Sequence, residues 1–232
     1  MIDEESDRLT ELIDNLLDLS HTCYLHDGIL GNSETVESDI TVEQDGNEVA
    51  VDLHFQPFEL NPHMAPGGQD LGEHLTEKYG STPEQQAQIR QTIAARGAEV
   101  GFEFHPGGRG RVYNTFEAHR LLHWAEGQGA GRQHALKKAL LRAYQGRAEC
   151  VEDPEVLLAA VAEAGLDVKA ARAVLASQDN ALAVREREHF YTQAGIRSVP
   201  AVIVNDRHLI SGGQPVEVFE QALRQIAAGD VS

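Results

Sequence analysis

The stretch LDLSHTCYLHDG, Leu17 to Gly28, carries one of only 2 cysteines in the chain, with Ser20 three residues ahead of Cys23. A cysteine thiolate attacks a disulfide, and a neighbouring thiol then resolves the mixed disulfide, so a dithiol cycle asks for two cysteines close together. The other cysteine is Cys150, and no Cys-x-x-Cys occurs anywhere. Monothiol exchange at Cys23 remains chemically open, whereas ordinary dithiol oxidation does not. Two cysteines cannot form a disulfide framework. A Cys23–Cys150 bridge requires the two Cα atoms to come within about 7 Å. His119 and His123 stand four apart in NTFEAHRLLHWAE, a spacing that can hold zinc, but no third ligand converges on them. His54, His63 and His74 lack metal spacing, so no metal is expected. Gly107-Gly108-Arg109-Gly110 is glycine-rich but follows no clear strand, which argues against a phosphate loop.

The net charge of −18 argues against nucleic acid or an anionic membrane as partner. The charge is uneven. Residues 1–50 hold 14 Asp/Glu and one basic residue, Arg8, a net of −13, so the other 182 residues carry −5. The first fifty residues therefore differ in character from the rest. No apolar run approaches the roughly 20 residues of a membrane span. The acidic start, MIDEESDRLTEL, is unlike a secretory signal. A soluble, cytoplasmic protein is expected.

Several elements must position these residues. Leu9, Ile13, Leu16 and Leu17 have helical spacing. Two β-branched runs, ITVEQ and EVAVDLHF, flank Asp45-Gly46-Asn47 as a hairpin. In the second, Val49, Val51, Leu53 and Phe55 alternate with Ala50, Asp52 and His54, so one face should be buried. After the prolines at 57, 62 and 66 the pattern is helical to about residue 190. Ser81 and Glu84 read as a capping box for a helix ending at Gly97, and Asp153-Pro154 as an N-cap and first turn. The period then changes. Ala201–Val204 reads as a strand, Asn205-Asp206-Arg207 as a turn, His208–Ser211 as a return strand, and QPVEVFEQALRQIAAG as a closing amphipathic helix.

PFELNP (57–62), EKYG (77–80), NTFEAHRLL (114–122), DPEVLLAAVAEAGLD (153–167) and GIRSVPAVIVNDRHLISGGQP (195–215) occur in that order. Over roughly residues 49–225 the chain resembles the DsbA-like thioredoxin-fold oxidoreductases of the FrnE type. These are neighbours of the 2-hydroxychromene-2-carboxylate isomerases and kappa-class glutathione transferases. The resemblance implies an α/β fold, a thioredoxin-like core with an inserted all-helical domain. Residues 1–62 and 190–232 would form the core, with 1–47 divergent, and 63–189 the insertion. It implies thiol–disulfide oxidoreductase activity on a protein thiol or disulfide or on glutathione. No cofactor beyond glutathione as co-substrate, and a monomer or homodimer, are expected.

It further implies that Val199-Pro200 is a cis step exposing backbone N–H and C=O to substrate at a cleft, with His119 on a helix facing that cleft. The plainer reading of His119 is a satisfied, half-buried side chain. The family opens with a parallel strand–helix–strand unit carrying Cys-Pro-Trp-Cys at the helix N-terminus, where the helix dipole stabilises a thiolate. Here Cys23-Tyr24 aligns with the second cysteine and its following tyrosine, and Ser20 falls at the nucleophile. Three readings follow. The redox motif is lost and residues 1–47 are foreign to the family; Ser20 binds a glutathione thiolate, as a serine does in the isomerase and transferase relatives; or Cys23 works alone as a monothiol. Residues 1–35 are expected to pack poorly. Should Ile40–Gln44 pair with Glu48–Phe55, the pairing would be antiparallel and the nucleophile's helix absent.

Overall fold

The computed structural model describes residues 22–27, 40–44, 47–99, 101–214 and 216–228. Ser20 and the helical pattern over Leu9–Leu17 lie outside the described residues. Seven strands and eight α-helices follow one another among the described residues. A sheet of five strands has the order β2-β3-β1-β6-β7, with β1 Thr22–Asp27, β2 Ile40–Gln44, β3 Asn47–Gln56, β6 Ala201–Val204 and β7 His208–Ser211. Hairpin pairing sets Gln44 opposite Asn47 and Ile40 opposite Val51. Asp45 and Gly46 lie outside the described residues.

The largest departure from expectation is β1. Residues 22–27 belong to the stretch expected to pack poorly, yet they form the central strand. They run antiparallel to β3 from Thr22↔Gln56 to Asp27↔Val51 and parallel to β6 from Thr22↔Ala201 to Leu25↔Val204. β3 and β6 both carry backbone donors and acceptors that must be paired, and Thr-Cys-Tyr-Leu suits a strand covered on two faces. The parallel strand–helix–strand opening that the resemblance implies is thus replaced by an antiparallel pairing of β1 with β3. A central position also means that both faces of β3 are used. Leu53 packs with Val202, Val204 and the closing helix, while His54 and Gln56 face the opposite side.

Between β3 and β6 lie seven helices: α1 Leu71–Tyr79, α2 Pro83–Glu99, α3 Phe116–Glu126, α4 Arg132–Leu141, α5 Pro154–Glu163, α6 Val168–Ala176 and α7 Ala181–Gln193. A two-stranded ribbon, β4 Gln69–Asp70 and β5 Arg111–Val112, and a π-helical turn at Arg142–Gly146 join them; α8 Val216–Ala227 closes the chain. The main apolar core lies in this helical part. Leu121, Leu122, Leu136, Leu140, Tyr144 and Leu157 are buried there together. None of the helices is long and apolar enough to cross a membrane among the described residues.

Local signals set most helix ends. The Asp153 carboxylate accepts from the Glu155 N–H at 2.9 Å with Pro154 in the first turn, as expected. At α2 the capping box is shifted by one residue from the expected Ser81 and Glu84. The Gln85 N–H donates to Thr82 Oγ1 and the Thr82 N–H to Gln85 Oε1, at 3.3 and 2.8 Å. Pro83 explains the shift, because its fixed φ occupies the first helical position and makes Thr82 the cap. Nor does α2 end at Gly97. A Cβ there would stand 2.6 Å from the Phe104 ring and 2.8 Å from the Phe102 carbonyl, so this glycine permits the loop to close on the helix.

Candidate functional site

β3 and β6 on one side and α3 and α7 on the other enclose a cleft of about 970 Å³. From the sheet come His54, Gln56 and Ile203; from α3, His123 and Glu126; from α7, Arg187, Phe190 and Tyr191. A side-chain amide fixes the sheet to the helices. Gln133 of α4 accepts the Phe55 N–H and donates to the Phe55 carbonyl, both at 2.9 Å, continuing the strand ladder where β2 has ended.

Within the cleft His54 Nδ1 lies 3.0 Å from Glu126 Oε1, and His123 Nδ1 lies 3.9 Å from Glu126 Oε2. The hydrogen bond from His54 holds the Glu126 carboxyl below its usual pKa, so it stays a carboxylate. Burial pushes the His123 pKa down, against the pull of Glu126. Arg187 donates to Gln56 Oε1 at 3.0 Å. The arrangement offers an imidazole–carboxylate pair able to pass a proton and a guanidinium able to hold an anionic or carbonyl group. The β3 alternation places His54 and the helical face places His123, but their meeting at Glu126 is not visible in the sequence. The local signal is HWAE, which sets Glu126 one turn beyond His123. No group of three or more metal-ligating side chains occurs among the described residues.

A second cluster flanks the cleft. Arg185 of α7 donates to Glu59 and, at 2.8 Å, to Glu188, with its guanidinium carbon 3.7 Å from the centre of the Phe116 ring. Burial, and then the neighbouring Glu59 carboxyl, push the Glu188 pKa up to about 7. Burial also raises Glu59 above the usual carboxylate range despite Arg185. The two carboxyls share Arg185 as donor through their Oε2 atoms, and the Oε1 of each has no hydrogen-bond partner among the described residues.

The residues singled out from sequence are not gathered at one point. Cys23 lies inside β1, opposite Phe55 on one side and Val202 on the other, rather than at a helix start. Its register is in phase with Val202, which packs against α8, and out of phase with His54, Gln56 and Ile203 of the cleft. Cys150 is a free, half-buried thiol between the π-helical turn and α5. The Val199–Pro200 peptide bond is cis. Val199 was expected to expose its backbone, but it is 0% exposed, enclosed by Phe58, Tyr191, Ile196 and Ala201. Apolar side chains from the loop after β3 and from α7 close over it; only Pro200 is partly open. His119 is 1% exposed rather than half-buried, and it does not line the cleft. Burial, then Lys137 and Arg185, push its pKa down to about 3, so it stays neutral at any physiological pH.

A family model of the DSBA-like thioredoxin domain matches residues 20–224. Among solved structures, a probable DsbA oxidoreductase from Streptomyces coelicolor is similar at 34% identity and a TM-score of 0.69, covering 76% of this chain and 75% of that one. No curated protein matches the chain.

Proposed function

The chain belongs to the DsbA-like thioredoxin family, and from that premise we propose that it is a thiol–disulfide oxidoreductase that has lost the dithiol cycle. The observation carrying this reading is the position of Cys23. It sits within a central strand, with the other cysteine on a separate loop among the helices. A strand interior lacks the free N–H groups and dipole that lower a thiol's pKa at a helix N-terminus.

The remaining covalent chemistry is single-thiol exchange. The Cys23 thiolate attacks a partner disulfide, one S–S bond forms as another breaks, and the leaving sulfur departs as a thiolate. A second thiolate, that of glutathione, then displaces Cys23 from the mixed disulfide. Each step conserves the number of disulfides, and the protein takes up no electrons in the full exchange. A cytoplasmic setting, rich in glutathione, suits such a partner. The cleft over β3 and β6, with Arg187 and the His54–Glu126 pair, is out of register with Cys23 and takes no part in this exchange.

A second reading, non-catalytic partner binding, is favoured by the register of Cys23 and the burial of Val199. Ser20, the residue that a glutathione-dependent isomerase or transferase reading requires, lies outside the described residues.

Two measurements separate these readings. Insulin reduction by dithiothreitol should proceed no faster with the protein than with its Cys23→Ser variant; clear Cys23-dependent turnover refutes the loss of the cycle. Intact-mass analysis after incubation with glutathione disulfide should show an adduct on Cys150→Ser but none on Cys23→Ser. An adduct that survives Cys23→Ser and disappears in Cys150→Ser removes the single-thiol step.

A further inference from the structure

A cavity separate from the cleft lies in the helical part, between α1, α2 and the loop 104–109, with a volume of about 280 Å³. Its wall is apolar where Leu71, Ile93 and Phe104 meet, continuous with the small core of α1 and α2. Its charged lining is Arg90 and Arg109, with His105 beside them, and no carboxylate is among the described residues that line it. In a chain with 37 acidic and 19 basic side chains that is an unusual local balance.

The two guanidiniums are held differently. Arg109 is buried, with its guanidinium carbon 4.8 Å from the centre of the Tyr144 ring, which fixes its plane. Arg90 is half-exposed at the rim and makes no hydrogen bond or ion pair among the described residues. Gly108, at φ 74°, brings the loop against the Arg90 stem; a Cβ there would stand 3.2 Å from Arg90 Cδ.

We propose that this cavity binds a small organic carboxylate with an aromatic or branched apolar body. The apolar wall takes the body, and the Arg90 guanidinium takes the carboxylate in planar hydrogen bonds, with the buried Arg109 adding positive charge to the wall behind it. The volume lies near the lower end of the range for small-molecule sites, so the ligand is compact. A bare inorganic anion would leave the apolar wall wet, and a neutral aromatic would leave the rim guanidinium unmatched.

The test uses the full-length protein and sodium phenylacetate as probe, with acetate and 2-phenylethanol as the body-less and charge-less controls. Binding is followed by calorimetry and by amide NMR shifts. Saturable phenylacetate binding is expected at Ala94, Phe104 and Gly108, at least tenfold tighter than either control. Arg90→Gln should weaken it at least tenfold. Ala94→Leu, an exposed position on the cavity wall, should block it in a chain that still unfolds cooperatively at the wild-type temperature. Equal binding of 2-phenylethanol, indifference to Arg90→Gln, or no saturable binding overturns the proposal. The result is independent of Cys23, so it leaves the proposed redox reading where it stands.

Discussion

The helical core and the junction between α7 and the chain after β3 both bury charge, and they do so to opposite ends. In the helical core Arg120 is 2% exposed and fully occupied. Its guanidinium donates to the carbonyls of Val174, Ser177 and Asp179 at 2.6, 2.7 and 2.9 Å and to Glu117 at 2.6 Å. One cation thus ties together carbonyls at and just beyond the end of α6; that of Val174 also accepts from the Ser177 N–H and hydroxyl at 3.2 and 3.1 Å. At the junction Glu59 and Glu188 crowd each other around the single guanidinium of Arg185, and both are pushed toward protonation. A buried charge whose hydrogen bonds are complete is scaffold. Buried like charges leave protonation undecided near neutral pH, which is a mark of functional sites.

The sharpest break of this contrast is Arg120→Met. It removes the donors to three carbonyls and should destabilise the protein by about 3–5 kcal/mol in urea unfolding, by the cost of leaving such groups unsatisfied. A loss below about 1 kcal/mol would mean that water replaces the guanidinium and that the scaffold role is misassigned. Next comes Leu140→Ala, in the middle of the same core. An expected loss of about 3 kcal/mol follows from transfer and cavity terms; the unfolding midpoint measures it, and a loss under about 1 kcal/mol would indicate a core that collapses around the gap.

The smallest effect tests the junction. Glu188 binds its proton more tightly folded than unfolded, since its pKa is raised to about 7 from 4.5. Its stabilising contribution is therefore complete below the unfolded pKa and is lost as pH rises through 7. Glu188→Gln stays neutral at every pH. The melting temperature of Glu188→Gln minus that of wild type should grow by roughly a few degrees between pH 4.5 and 8. A difference independent of pH would remove the raised Glu188 pKa from the account.

Elements whose cause lies within three or four residues were legible in the sequence. Asp153-Pro154 starts α5, and Asn205 and Asp206 take the positive φ of the turn between β6 and β7. The capping box stands one residue from the expected Ser81–Glu84, at Thr82–Gln85, because Pro83 takes the first helical position. The family resemblance rested on such local runs over 49–225, and the matching model extends from 20 to 224.

What sequence alone determined, then, is the helical character of the chain between β3 and β6, the β6–β7 hairpin and the lack of a Cys-x-x-Cys, all properties of neighbours along the chain. Only tertiary structure decided that Thr22–Asp27 is the central strand, because pairing direction depends on which distant backbone edges need partners. It also brought His54 to Glu126 across 72 residues and Arg185 to Glu59 across 126, and it sealed Val199 and His119 from the cleft. Local periodicity shows which face of an element is apolar. Which element covers that face, and which polar groups are trapped together beneath it, depends on long-range closure of the chain.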